Sequence, residues 1–117
     1  MAFQIIPAHD PSVQIEFEIP IKGRQNPLAF SVPKLHFFPL DVSDTYKEWF
    51  EVAKVPNEKG VAEATDRACT LKLLELLVPK HYEALAKLTD GELTQISKHW
   101  EKESRVGLGE SSASSDS

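Results

Sequence analysis

Two periodicities divide the chain. From Val13 to Ile19, VQIEFEI, apolar and polar residues alternate strictly, the period-2 pattern of a half-buried strand. Leu28 to Val32, LAFSV, resumes the alternation after a turn-forming stretch, Pro20 to Pro27, that holds Gly23 and Asn26. Two such runs joined by a short glycine-containing loop predict an antiparallel hairpin. Beyond Leu40 the period lengthens. Val42, Tyr46, Trp49, Phe50 and Ala53 form an i, i+4, i+7, i+8, i+11 stripe and predict an amphipathic helix that buries its aromatic residues, with Asp41 or Ser43 as its cap. Pro56 to Gly60 makes a loop, and a second helix runs from about Val61 through Leu73, Leu76 and Leu77. Val78 precedes proline and is thereby pushed out of the α region, so that helix stops there. Pro79 suits the first position of a third helix, striped by Tyr82, Leu85 and Leu88. Thr89-Asp90-Gly91-Glu92 has the form of a capping box that opens a fourth helix, striped by Leu93, Ile96 and Trp100.

The fold class that follows is α+β, mainly α. A hairpin over residues 13–32 precedes a bundle of four helices over 42–54, 61–78, 79–88 and 90–103. A hairpin alone is marginal in water, so it must pack on helices or pair with another chain. Residues 1–12 carry two prolines and no periodicity and are expected to form a flexible arm. Residues 13–104 are expected to form a single globular domain. Residues 105–117, RVGLGESSASSDS, are glycine, serine and acid with almost nothing apolar, and are expected to be a disordered tail. Between hairpin and helices lies PKLHFFPL. Its Leu35, Phe37 and Phe38, together with Trp100, are the candidate partner-binding residues; the competing reading makes them a wedge inside the fold.

Length and charge narrow the function classes. At 117 residues there is room for one modest core. A net charge of −5 argues against a dedicated nucleic-acid binder, which carries a basic footprint. No apolar run reaches the roughly 20 residues that span a bilayer, and the first residues lack the pattern of a secretory signal. A cytoplasmic location is therefore expected. The single cysteine, Cys69, excludes an intrachain disulfide and reads as a buried structural thiol. The four histidines show no zinc-ligand spacing, the serines no nucleophile elbow, and Gly107-Leu108-Gly109 stands without the strand and helix a dinucleotide loop requires. We therefore expect neither an enzyme nor a cofactor or metal site.

SVPKLHFFPLDV, the Glu48-Trp49 pair, LKLLELLVPKHYEALAKLTDGELTQISKHWEKES and the closing LGESSASSDS together form a pattern. It resembles the tail assembly chaperones of long-tailed phages that infect mycobacteria and related actinobacteria. The resemblance spans Leu28 to Ser117. It implies a protein that binds the long helical tape measure protein, keeps it soluble, promotes tail-tube assembly around it and is absent from the finished virion. It also implies the host cytoplasm as the place of action, and the tail tube protein as a further partner. Members are commonly made as a short form and a longer, frameshifted form, and this chain would be the short form. The alternatives are a minor tail or head–tail connector protein, or a small regulatory adaptor.

Overall fold

The computed structural model describes residues 2–105. Of the tail expected over 105–117, Arg105 is the last residue of a helix, and the rest lies outside the described residues. The expected α+β, mainly helical architecture is present: an antiparallel hairpin followed by four helices. The described chain gathers into two compact units, residues 2–38 with 98–105, and residues 39–97.

In the first unit, strands β1 (Gln14–Ile19) and β2 (Leu28–Pro33) pair antiparallel, with Phe17 opposite Phe30 and Ile15 opposite Val32. Alternation does what its period demands. Ile15, Phe17, Ile19, Leu28, Phe30 and Val32 are buried, while Glu16, Glu18, Ala29 and Ser31 face water. The Phe17 and Phe30 rings stack across the strands with centroids 5.4 Å apart. In the connecting loop the Arg24 N–H bonds the Ile21 carbonyl at 3.0 Å. The turn this closes places Gly23 at φ +85°, a backbone angle that glycine adopts without a Cβ clash.

Upstream, part of the stretch read as an arm has local order. The Asp10 carboxylate accepts from the Ser12 hydroxyl at 2.6 Å and from the Ser12 N–H at 2.9 Å, capping a 3-10 turn over Pro11–Val13. Those two bonds, the hydroxyl's first, hold its carboxyl below the usual carboxylate range. Residues 2–6 have no regular structure, and Phe3 and Ile5 are 91% and 80% exposed.

The second unit begins with α1 (Leu40–Ala53). Neither Asp41 nor Ser43 caps it, because the helix starts earlier than the pattern suggested. Pro39 stands at the cap, its carbonyl accepting from the Ser43 N–H at 3.0 Å, and both residues lie inside the first turn. The second helix is also shorter than expected: α2 spans Asp66–Leu77, not 61–78. The Thr65 hydroxyl accepts from the Ala68 N–H at 3.1 Å and fixes the start, a capping signal hidden inside an apolar-periodic run. Residues 61–65 instead close the loop, with the Ala64 N–H bonded to the Ala53 carbonyl at 2.9 Å.

Val78, at φ −134° and ψ 61°, ends α2 ahead of Pro79 as proline sterics require. The helix expected over 79–88 is a 3-10 turn, Pro79–His81, followed by the single α-turn α3, Tyr82–Leu85. The Lys87 and Leu88 N–H groups go to Ala84 and Leu85, three residues back, so the segment tightens and stops. Its last carbonyls are taken by Arg67, whose guanidinium donates to Ala86 and Leu88, both at 2.7 Å. The helix α4 (Asp90–Arg105) opens on the expected capping box: Thr89 N–H to Glu92 Oε1 at 2.8 Å, and Glu92 N–H to Thr89 Oγ1 at 3.2 Å. The backbone bond, then that from the Thr89 hydroxyl, holds the Glu92 carboxyl below its ordinary range.

Candidate partner-binding surface

The four residues singled out in the sequence all lie in the first unit. Leu35 and Phe37 bound a 3-10 turn and are half-buried. The Leu35 N–H donates to the Ser104 hydroxyl at 2.9 Å, and Ser104 is itself only 1% exposed. Trp100 is 2% exposed, and its indole N–H donates to the Pro33 carbonyl at 2.9 Å. Phe38 packs edge-on against it, ring centroids 5.7 Å apart. The structure thus brings Phe38 and Trp100 together as neighbours. It gives the polar atom of the Trp100 ring an internal partner, as a buried indole needs.

The second unit presents a different surface. In α1 only Ala53 is buried; Tyr46, Trp49 and Phe50, expected in the core, are half-buried. This corrects the expectation that α1 buries its aromatic residues. An i, i+3, i+4 stripe specifies which face turns inward but not how much chain lies opposite to cover it. The helix packed on α1 is α2, which starts at Asp66 and so supplies less cover than the longer helix expected from residue 61. The three rings lie 5.6 Å (Tyr46 to Trp49), 6.2 Å (Tyr46 to Phe50) and 6.5 Å (Trp49 to Phe50) apart, a contiguous aromatic row.

Tyr46 anchors that row to α2. Burial, and then a hydrogen bond with Cys69, push its phenol far above the ordinary tyrosine range, so it stays protonated across the physiological span. Cys69 itself is half-buried, not fully interior as expected. Beside the row lies an open cavity of about 290 Å³, near the low end of the sizes that hold a ligand. Trp49, Ala68, Leu71 and Tyr82 line it with apolar surface, and Lys72 and Glu75, paired at 3.3 Å, add a charged border. Arg67 also lines it but is committed to the Ala86 and Leu88 carbonyls and to the Asp90 carboxylate at 3.0 Å. Nothing in the periodicity marks Arg67, whose role depends on carbonyls about twenty residues downstream.

Chemically, this arrangement suits covering of apolar side chains. It offers polarizable ring faces, a concave apolar floor and a few charges at the border. Among the described residues no three His, Cys, Asp or Glu side chains gather where a metal ion could be held. No helix among them is long and apolar enough to cross a membrane. No protein-family model, no curated protein and no solved structure matches this chain.

Proposed function

We propose that this protein is a tail assembly chaperone of the kind made by long-tailed phages of mycobacteria and related actinobacteria. It acts in the host cytoplasm, binds the tape measure protein, keeps it soluble and promotes tail-tube assembly around it. The resemblance over Leu28 to Ser117 suggests the class. The structural observation that carries the reading is the half-covered aromatic row of α1 beside the cavity lined by Trp49, Leu71 and Tyr82.

A tape measure segment awaiting assembly exposes long apolar helical faces, which aggregate unless covered. A groove between helices that takes i, i+3, i+4 anchors is the usual way to cover such a face. The half-buried rings supply that apolar contact, and the net charge of −5 keeps the complex soluble by repulsion between copies. The role is one of binding without chemistry. The longer frameshifted form and the tail tube protein are further partners on this reading.

Co-expression with the cognate tape measure protein tests the proposal. That protein should move from the insoluble to the soluble fraction and co-purify with the short form, the longer form, or both. Mass spectrometry of purified virions should find this chain absent, which separates a chaperone from a minor tail or connector protein. If neither form changes tape measure solubility or co-purifies with it, the assignment is wrong.

A further inference from the structure

The outer flank of α1 carries information about what the groove receives. Asp41, Asp44 and Glu48 recur at i, i+3, i+7, so they share one helical face, and all three are exposed. Among the described residues the ion pairs are Glu51 with Lys54, Arg67 with Asp90, and Lys72 with Glu75; none includes these three acids. Asp44 and Glu48, four residues apart, repel one another.

Apolar residues accompany this row where a soluble helix would place polar ones. Val52 is 75% exposed and lies one turn beyond both Glu48 and Trp49, at i+4 and i+3. It therefore bridges the acid row and the edge of the aromatic groove. Val55 and Val61 are 58% and 57% exposed and sit on an ordered loop. The Asn57 side-chain oxygen accepts from the Lys59 N–H at 2.8 Å and the Val61 N–H at 3.0 Å, and the Asn57 N–H donates to the Val61 carbonyl at 2.8 Å. Gly60, at φ +78°, permits that turn. The valines are thus displayed on fixed backbone, which lowers the ordering cost of a partner that covers them.

We infer that the groove and outer flank of α1 together receive a basic amphipathic helix. Its apolar anchors lie against Trp49, Val52 and the cavity, and its lysines or arginines lie over Asp41, Asp44 and Glu48. Charge complementarity selects this occupant. An acidic helix or a nucleic-acid backbone would meet the same acid row with repulsion, and so would the like flank of a second copy. The inference rests on the chaperone reading for the identity of the partner, which it narrows to a cationic, apolar-striped segment of the tape measure protein.

The test uses the full chain and a labelled synthetic peptide of leucine and lysine, patterned at i, i+3, i+4 and matched to the 14 residues of α1. A second peptide carries glutamate in place of lysine. Anisotropy titrations at about 50 mM and about 300 mM salt should show the lysine peptide binding, more tightly at low salt, and the glutamate peptide not binding. Val52→Asn, a neutral polar change on an exposed site that leaves the core intact, should weaken the lysine peptide about tenfold, as should Asp41→Lys combined with Glu48→Lys. Glu16→Lys with Glu18→Lys, the same charge change on exposed positions of β1, should leave binding within about twofold. Equal binding of both peptides overturns the inference, as does an equal effect of the β1 control, or concentration-dependent self-association through Val52. Capture of the tape measure protein, measured on the same variants, separates the two claims. If capture is unchanged in the Asp41→Lys, Glu48→Lys variant, the docking surface is wrong and the chaperone reading stands. If the wild type binds the lysine peptide but neither it nor the longer form captures the tape measure protein, the chaperone reading is wrong and the surface stands.

Discussion

The two tryptophans should respond very differently to truncation, although each sits on an apolar helical stripe. Trp100 is 2% exposed, touches Phe38 edge-on and bonds the Pro33 carbonyl through its indole N–H. Trp100→Ala removes a buried double ring, a loss of about 3–5 kcal/mol from transfer and cavity terms. It also strands the Pro33 carbonyl, which places the expected loss toward the upper end of that range. Against a total of about 5–15 kcal/mol, such a variant is close to unfolding, so Trp100→Phe is the safer companion. It keeps most of the ring volume but loses the hydrogen bond, for about 1–3 kcal/mol. Trp49→Ala removes a half-buried ring that fills no enclosed space, and should cost about 1–2 kcal/mol. Urea unfolding is the assay. With a slope of about 1–3 kcal/mol per molar, Trp100→Ala should move the midpoint by about 2 M and Trp49→Ala by less than about 1 M. Because the chain has two tryptophans, each single variant also reports fluorescence from the other alone. Equal midpoint shifts for the two alanine variants would refute the reasoning, since they would mean that the two rings are equally buried.

Arg67→Met should destabilise by about 1–2 kcal/mol, read as a lower urea midpoint, because it frees the Ala86 and Leu88 carbonyls at the end of α3; the side chain is 35% exposed, so water recovers part of the loss. Lysine at that position, with a single ammonium in place of the fork, should restore less than half of the difference. The capping box should be visible as pH dependence. A carboxyl held below its ordinary range contributes stability that is present above the unfolded value and lost as pH falls through the folded one. The melting-temperature gap between wild type and Glu92→Ala should therefore be open at neutral pH and narrow by about pH 3. A gap that stays constant would mean that the Glu92 carboxylate makes no use of its charge at the cap. Ser104→Val should lower the midpoint as well, because the Leu35 N–H would lose its acceptor inside the first unit; no change would mean that water replaces the hydroxyl.

Strand alternation and short-range chemistry were sufficient for much of this fold. The hairpin follows from period-2 burial, the stop at Val78 from the steric demand of Pro79, and the start of α4 from the reciprocal Thr89–Glu92 bonds. Each is decided within a few residues, so nothing distant can overrule it cheaply. The Thr65 cap is equally local, but the apolar spacing that continues upstream through Val61 and Ala64 masks it, so periodicity places the start of α2 too early. Tertiary structure decided what depends on how much chain lies opposite a stripe. Trp49 and Trp100 have comparable periodic settings, yet one ring is half-buried beside an open cavity and the other is enclosed and bonded to Pro33. Helical spacing fixes direction, while burial depends on how much chain lies opposite, and α2, which packs on α1, starts only at Asp66. The same holds for Arg67, whose acceptors are chosen by where α3 ends. It holds for the candidate surface too. The acid row of Asp41, Asp44 and Glu48 is written in the spacing, but its place beside an exposed Val52 and an incompletely covered groove exists only in the folded chain.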